Sequence, residues 1–86
     1  MKLGIYCLKD TLTEFMQPYY QANEHVAVRN FKITMNHPES DVAKIAENIE
    51  LYQLGWFDTV TGEVTSEIKY ICKGIDVKEI KLYECS

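Results

Sequence analysis

The sequence has little glycine or proline, no apolar run long enough to cross a membrane, and no segment of low complexity. Four glycines and two prolines among 86 residues leave no linker, so we expect one ordered domain spanning residues 1–86. Apolar runs end after a few residues, far below the ~20 that a membrane helix needs. The first residues also lack the apolar stretch of a secretory signal, and we therefore expect a protein of the cytosol.

Motifs for metal binding and catalysis are also lacking. The three cysteines, Cys7, Cys72 and Cys85, show no Cys-x-x-Cys spacing, and the two histidines, His25 and His37, lie far from any cysteine pair. We therefore expect reduced structural thiols, no metal and no cofactor. The chain has no phosphate-binding glycine loop and no nucleophile next to a base, so we do not expect an enzyme. Only a pocket that held a histidine against a carboxylate would favour one.

Positive charge is in deficit. Nine Lys and Arg residues stand against thirteen Asp and Glu residues, which gives a formal net charge of −4. General binding to polyanions depends on neutralising phosphates with cations, so this balance argues against it. A local basic surface remains compatible with the composition.

The first half of the sequence predicts a strand and a helix. Residues 3–9 combine β-branched, aromatic and aliphatic side chains, which is typical of a strand. The segment 13–21 contains Pro18, shows no periodicity and predicts an irregular connection. Asn23 is a suitable N-cap, and the apolar residues that follow it recur at helical spacing as far as Asn36, a suitable C-cap. The sequence therefore predicts a helix between these two residues.

The second half predicts a short helix and a β-hairpin. Residues 40–48 carry the helix, with Val42, Ile45, Ala46 and Ile49 on one face. Residues 50–57 and 63–72 are the strands, and the turn between them places Asp58 to accept backbone hydrogen bonds and Gly62 to adopt positive φ. Strict alternation along the second strand assigns Val64, Ile68, Tyr70 and Cys72 to the core and Thr65, Glu67, Lys69 and Lys73 to the solvent.

Residues 75–83 combine strand-like alternation with a helix-capping pattern, and we favour a strand. Three strands and a helix then predict an α+β fold, a small antiparallel β-sheet packed against one main α-helix.

Aromatic residues beside cations favour binding over catalysis. The chain has six tyrosines, three phenylalanines and one tryptophan, and Tyr70, for example, lies between Lys69 and Lys73. Rings that stack on bases, flanked by cations that contact phosphates, are the usual means of holding single-stranded nucleic acid. In a chain this short, however, most rings are needed for the core, so any single ring is more simply explained by packing.

Three segments resemble a known family when taken together. They are Ile-Tyr-Cys-Leu-Lys-Asp at 5–10, Ala-Val-Arg-Asn-Phe at 27–31 and Leu-Tyr-Gln-Leu-Gly-Trp-Phe-Asp-Thr-Val-Thr-Gly at 51–62. In order and approximate spacing they resemble the small non-structural protein of gokushovirus-type microviruses, tailless phages with single-stranded DNA genomes. The resemblance implies a protein of the bacterial host cytoplasm, not a virion component, that binds DNA and redirects genome replication toward single-strand synthesis for packaging.

The family pattern matches Arg29 and Asn30, for which packing offers no explanation. Trp56 stands where the family more often has an acidic residue, and an exposed tryptophan there would suit base stacking or a dimer contact. The candidate nucleic-acid-binding residues are Arg29, Asn30, Lys32, Trp56, Lys69 and Lys73. We expect a homodimer whose two weak surfaces add by avidity, with steep loss of binding in salt. The alternative is an adaptor that binds a viral replication protein, the capsid precursor or a host protein without contacting DNA.

Overall fold

The structure is a computed structural model that describes residues 1–78. The elements in chain order are β1 (Lys2–Asp10), β2 (Tyr19–Gln21), α1 (Glu24–Met35), a 3₁₀ helix (Ala43–Asn48), β3 (Ile49–Asp58), β4 (Val64–Lys73) and α2 (Gly74–Val77). Most of the strand predicted at 75–83, and Cys85, lie outside the described residues.

The four strands form one antiparallel sheet in the order β2-β1-β3-β4. The fold is therefore α+β, one antiparallel sheet with short helices. The predicted count of three strands was too low, since Tyr19–Gln21, in the segment predicted to be irregular, pairs with Gly4–Tyr6. A strand of three residues is too short to show periodicity in sequence, and the open edge of β1 supplies its hydrogen bonds.

Helix α1 begins and ends where its caps predict. The Asn23 side chain accepts a hydrogen bond from the Val26 amide at 2.9 Å, and Asn36 is the C-cap. The apolar face of α1 packs on the sheet, where the core comprises Tyr6, Ala27, Phe31, Met35, Ala46, Ile49 and Leu51. Burial of these side chains is the main stabilising contribution.

The predicted second helix is shorter and tighter than expected. It is a 3₁₀ helix with a kink at Ile45, where φ is −120° and ψ is 32°. Because a 3₁₀ helix has three residues per turn, Ala43 and Ala46 point inward, followed by Ile49 at the start of β3. The expectation that Ile45 shares the buried face was wrong, since it is exposed.

The hairpin turn is as predicted. The Asp58 carboxylate accepts hydrogen bonds from the amides of Val60 at 2.8 Å and Thr61 at 3.3 Å. Gly62 has φ of 77°, a conformation that L-residues with side chains rarely adopt.

The predicted alternation along β4 was wrong. The register between β3 and β4 shifts twice, so that β4 has extra residues at Ile71 and between Ser66 and Lys69. The bulge at Ile71 interrupts the period of two, whereas Ser66 and Lys69 keep the opposite faces that regular alternation gives. As a result Lys69 lies on the same face as α1, and the apolar residues assigned to the core, Val64, Ile68 and Tyr70, are exposed.

Gly74 begins a turn of helix in place of the strand that we favoured from residue 75. A Cβ atom on Gly74 would lie 2.7 Å from the Ala46 carbonyl oxygen and 2.8 Å from the Met35 sulfur, so the close packing requires glycine. The Asn36 side chain donates a hydrogen bond to the Val77 carbonyl at 3.1 Å, which ties the end of α1 to α2.

The two faces of the sheet follow from β1. The Tyr6 ring lies in the core, on the face covered by α1, and it packs directly over Gly4. A Cβ atom on Gly4 would overlap that ring, so Gly4 and Tyr6 face the same side. Even-numbered residues of β1 thus face α1, and Leu3, Ile5, Cys7 and Lys9 face the other way. Leu54 has no partner on β1, and this bulge reverses the alternation of β3 between Gln53 and Gly55.

The molecule is elongated, with principal extents of 55 × 25 × 19 Å. The core lies at the end of the sheet that carries Tyr6 and Leu51, beneath α1. At the other end the β3–β4 hairpin extends beyond the helix, and every side chain from residue 59 to residue 70 is exposed.

Candidate nucleic-acid interface

The residues predicted from sequence to bind nucleic acid do not form one site. On α1, Arg29 and Lys32 are exposed, while Asn30 is half-buried and its carbonyl accepts the Thr34 hydroxyl hydrogen at 2.9 Å. These residues belong to the outer surface of the helix, away from the buried positions of α1.

Trp56 and Lys69 lie on the face of the sheet that α1 covers. Trp56 pairs with Gly4 and is half-buried, so it is not the freely exposed ring that base stacking would favour. The Lys69 Nζ atom is 2.7 Å from a carboxylate oxygen of Glu24, the first residue of α1. This hydrogen bond and the negative charge raise the pKa of Lys69 and occupy its ammonium group.

Lys73 lies on the opposite face, where it pairs with Glu50. The six predicted residues are therefore distributed over three surfaces, the outside of α1, the α1-covered face and the open face of the sheet. No single ligand strand contacts all of them in this geometry.

The open face of the sheet carries a group of aromatic rings, and we call this surface the aromatic face. Its rings are Phe15, Tyr20, Tyr52, Phe57 and Tyr70. No helix of residues 1–78 covers them. Side chains that alternate outward from the strands place all of these rings on one side of the molecule.

Three of the rings form a cluster across the strands. Tyr52 pairs with Cys7 on β1 and with Tyr70 on β4. The ring centroid of Tyr52 is 5.2 Å from that of Phe15 and 5.6 Å from that of Tyr70, and both contacts are edge-to-face. Phe15 is 40% exposed and Tyr70 48% exposed, so the cluster is open to solvent.

The other two rings lie farther toward the hairpin turn. Tyr20 pairs with Ile5, and its ring centroid is 5.5 Å from that of Phe57. Phe57 itself pairs with Leu3 on β1 and Val64 on β4. Tyr20 is 56% exposed and forms one corner of the aromatic face.

A cation accompanies the first cluster. The Lys9 Nζ atom lies 5.2 Å from the Phe15 ring centroid and 5.7 Å from that of Tyr52, within the range of a cation–π interaction. Glu50 pairs with both Lys9 and Lys73 and accepts a hydrogen bond from the Tyr52 hydroxyl at 3.1 Å. Partial burial raises the pKa of Tyr70, and Glu50 and Asp76 also lie near enough to raise it, so the two lysines of this part of the face are accompanied by two carboxylates.

The two described cysteines are structural. Cys7 is buried, and its thiol donates to the Met16 carbonyl at 3.0 Å, which fastens the segment before β2 to the sheet. Burial raises the pKa of both Cys7 and Cys72, so neither thiol is activated.

Within residues 1–78 no group of three or more potential ligands is arranged to hold a metal ion. In the same part of the chain, no helix is long and apolar enough to span a bilayer.

The candidate residues Lys9, Phe15, Tyr20 and Tyr52 were not among those predicted from sequence. Phe15 and Tyr20 lie in the segment predicted to be irregular, and its pairing with β1 brings their rings over the sheet. The sequence signal that could have identified this surface is the alternation of residues 5, 7 and 9 in β1. It places Lys9 on the same face as Cys7, and therefore on the same face as Tyr52, which pairs with Cys7.

No curated protein and no solved structure matches the chain. A model of the family described as Phage ORF5 protein matches residues 3–77, which is most of the chain and nearly all of its described part. The chain belongs to the Phage ORF5 protein family and is a phage protein.

Proposed function

We propose that this phage protein binds single-stranded DNA through the aromatic face and thereby regulates replication or packaging of a single-stranded phage genome. The observation that supports the proposal is the open cluster of Phe15, Tyr52 and Tyr70 with the Lys9 ammonium group above two of its rings. Stacking of bases on sheet-borne aromatic rings is a common mode of single-strand binding, and unpaired bases expose the π-faces that it requires.

Two features favour a single strand over a duplex as the ligand in this proposal. Duplex DNA hides the faces of its bases, so the rings of the aromatic face have nothing to stack on. A protein that binds duplex DNA through its backbone needs many cations, and the net charge of −4 does not favour this. Action in the bacterial cytoplasm, outside the virion, belongs to the same proposal.

Anisotropy titration of labelled single-stranded and duplex oligonucleotides tests the proposal. We expect binding to the single strand, and we expect Tyr70→Leu to weaken it by about 1–3 kcal/mol, because leucine keeps the bulk but loses the stacking ring. Ile33→Ala is the matched control, since Ile33 is an exposed apolar residue on α1, far from the aromatic face.

Arg29→Ala distinguishes the two candidate surfaces. If α1 is the binding surface, this change weakens binding and Tyr70→Leu does not. If neither change has an effect, or if a folded protein binds no oligonucleotide at low salt, DNA binding through either surface is contradicted.

The second candidate function is that of a protein–protein adaptor. Three apolar side chains of the hairpin, Val60, Val64 and Ile68, are more than 60% exposed, and the net charge is negative. Apolar exposure of this kind is typical of protein contacts. Complexes with a viral replication or capsid protein that persist in high salt, without oligonucleotide binding, would favour this function.

Self-association is part of the proposal for either function. Two copies would present two aromatic faces and add their affinities by avidity. Sedimentation velocity over a range of protein concentrations measures whether the homodimer forms.

A further inference from the structure

The aromatic face has two stacking positions at opposite corners. Tyr20 on β2 and Tyr70 on β4 are its two most exposed rings, at 56% and 48%. Each contacts a less exposed ring on β3, Phe57 and Tyr52 respectively, which holds it in place.

The strand pairing sets the distance between these corners. β2 and β4 are three strand spacings apart, about 14 Å at ~4.8 Å per spacing. Along the strands, Tyr20 is level with Ile5 of β1, and Tyr70 is level with Cys7 through their common partner Tyr52. Ile5 and Cys7 are two residues apart, which is about 7 Å along the strand. The diagonal is therefore about 16 Å.

Within residues 1–78 the space between the corners has almost no charge. Ile5 is half-buried there, Cys7 and Gly55 are buried, and the described cations of this face lie in the Lys9–Glu50–Lys73 row. Glu50 partly neutralises that row. A ligand that lies across this surface is held by its bases and makes few phosphate contacts.

We infer that the aromatic face binds a stretch of about four unpaired nucleotides diagonally, with one base stacked on Tyr20, another on Tyr70, and only one or two phosphates contacted. A strand stretched to about 7 Å per nucleotide, twice its rise in a duplex, covers the diagonal in two to three steps. The inference rests on the proposed function and specifies its ligand. It replaces the steep salt dependence expected from sequence with a shallow one, because each contacted phosphate contributes a slope of only about −0.7.

A length series tests the inference. Oligothymidylates of two to ten nucleotides compete with a labelled single strand for the purified protein at several salt concentrations. We expect affinity to rise at least tenfold between two and four nucleotides. Beyond five nucleotides we expect only the small gain that comes from the larger number of registers in which a longer strand can bind. The slope of log affinity against log salt should be about −1.

Variants at the two corners show whether both take part. Tyr20→Leu and Tyr70→Leu should each abolish the gain between two and four nucleotides, and Ile68→Ala, an exposed apolar change on β4, should retain it. Circular dichroism verifies that each variant is folded.

The outcomes separate this inference from the proposed function. Affinity that keeps rising to ten nucleotides, or a salt slope of −3 or steeper, means that the strand follows cations, and it overturns the two-point arrangement while leaving DNA binding intact. Loss at Tyr70→Leu without loss at Tyr20→Leu also overturns it. Absence of binding at every length contradicts the proposed function itself.

Discussion

Tyr19 and Tyr20 are neighbours in the sequence and lie on opposite faces of β2. Tyr19 packs against the core beneath α1, while Tyr20 is exposed on the aromatic face. Burial, together with smaller contributions from the neighbouring Cys7, Cys72 and Tyr6 side chains, raises the pKa of Tyr19 to about 12. The same residue type thus stabilises the fold at one position and is available to a ligand at the next.

The raised pKa of Tyr19 predicts a loss of stability in alkali. The folded chain keeps the phenol protonated to a higher pH than the unfolded chain does. Its contribution is therefore fully present below the usual tyrosine pKa near 10 and is lost as the pH rises toward about 12. The Tyr19→Phe variant should lose less free energy of unfolding between pH 10 and pH 12, by up to about 2 kcal/mol.

Urea unfolding at a series of pH values measures this difference. Tyr20→Phe is the matched control, because it removes the hydroxyl of the adjacent, exposed ring. If both variants follow the wild-type pH dependence, the Tyr19 hydroxyl is not the group responsible.

At the residue scale, the sequence predicted correctly those residues whose structural role depends only on neighbouring backbone groups. The caps Asn23 and Asn36 and the turn residues Asp58 and Gly62 act on backbone groups within a few positions, and all four are as predicted. Membership of a surface depends on pairing between distant segments. For this reason the aromatic face was missed and the six predicted site residues are dispersed.

The strands show the same division between local and non-local effects. The positions of β1, β3 and β4 follow from composition and turn chemistry, but their side-chain orientations do not. Leu54 on β3 and Ile71 on β4 are extra residues that interrupt the alternation. A period of two, read without these bulges, assigned Val64, Ile68 and Tyr70 to the wrong environment.

Two glycines of the hairpin offer a test of how the bulged sheet is built. A Cβ atom on Gly55 would overlap the Thr65 carbonyl oxygen on β4, whereas a Cβ atom on Gly62 has no neighbour within 4 Å. Gly62→Ala should therefore lower the free energy of unfolding by only about 1 kcal/mol, through its positive φ. Gly55→Ala should lower it by about 2–4 kcal/mol, because two backbones must separate.

Chemical denaturation of the two variants under the same conditions gives the comparison. An equal or smaller effect at Gly55 would show that β3 and β4 are not so closely apposed at this position.

The whole molecule has its stability concentrated at one end. The core packs beneath α1, while the far end of the hairpin has exposed side chains on both faces, and β4 is an edge strand with two bulges. Local opening is favoured where few apolar contacts hold the backbone and the hydrogen bonds are near water.

Amide hydrogen exchange followed by NMR should show this gradient. We expect the amides of Tyr6 and Leu51, in the buried central strands, to exchange only through global unfolding. Amides between Ser66 and Ile68 should exchange at least 100-fold faster, because the edge strand opens locally. Uniform protection along β4 would mean that another molecule covers this edge in solution.

The exposed hairpin also determines where the sequence is free to vary. Because the side chains of residues 59–68 contribute little to the core, selection for a stable fold scarcely constrains them beyond the turn residues Thr61 and Gly62. Substitutions there should therefore change the free energy of unfolding very little, whereas substitutions at Tyr6 or Leu51 should lower it substantially. The hairpin is the part of this protein in which a phage lineage can acquire or exchange molecular contacts without first having to stabilise the fold.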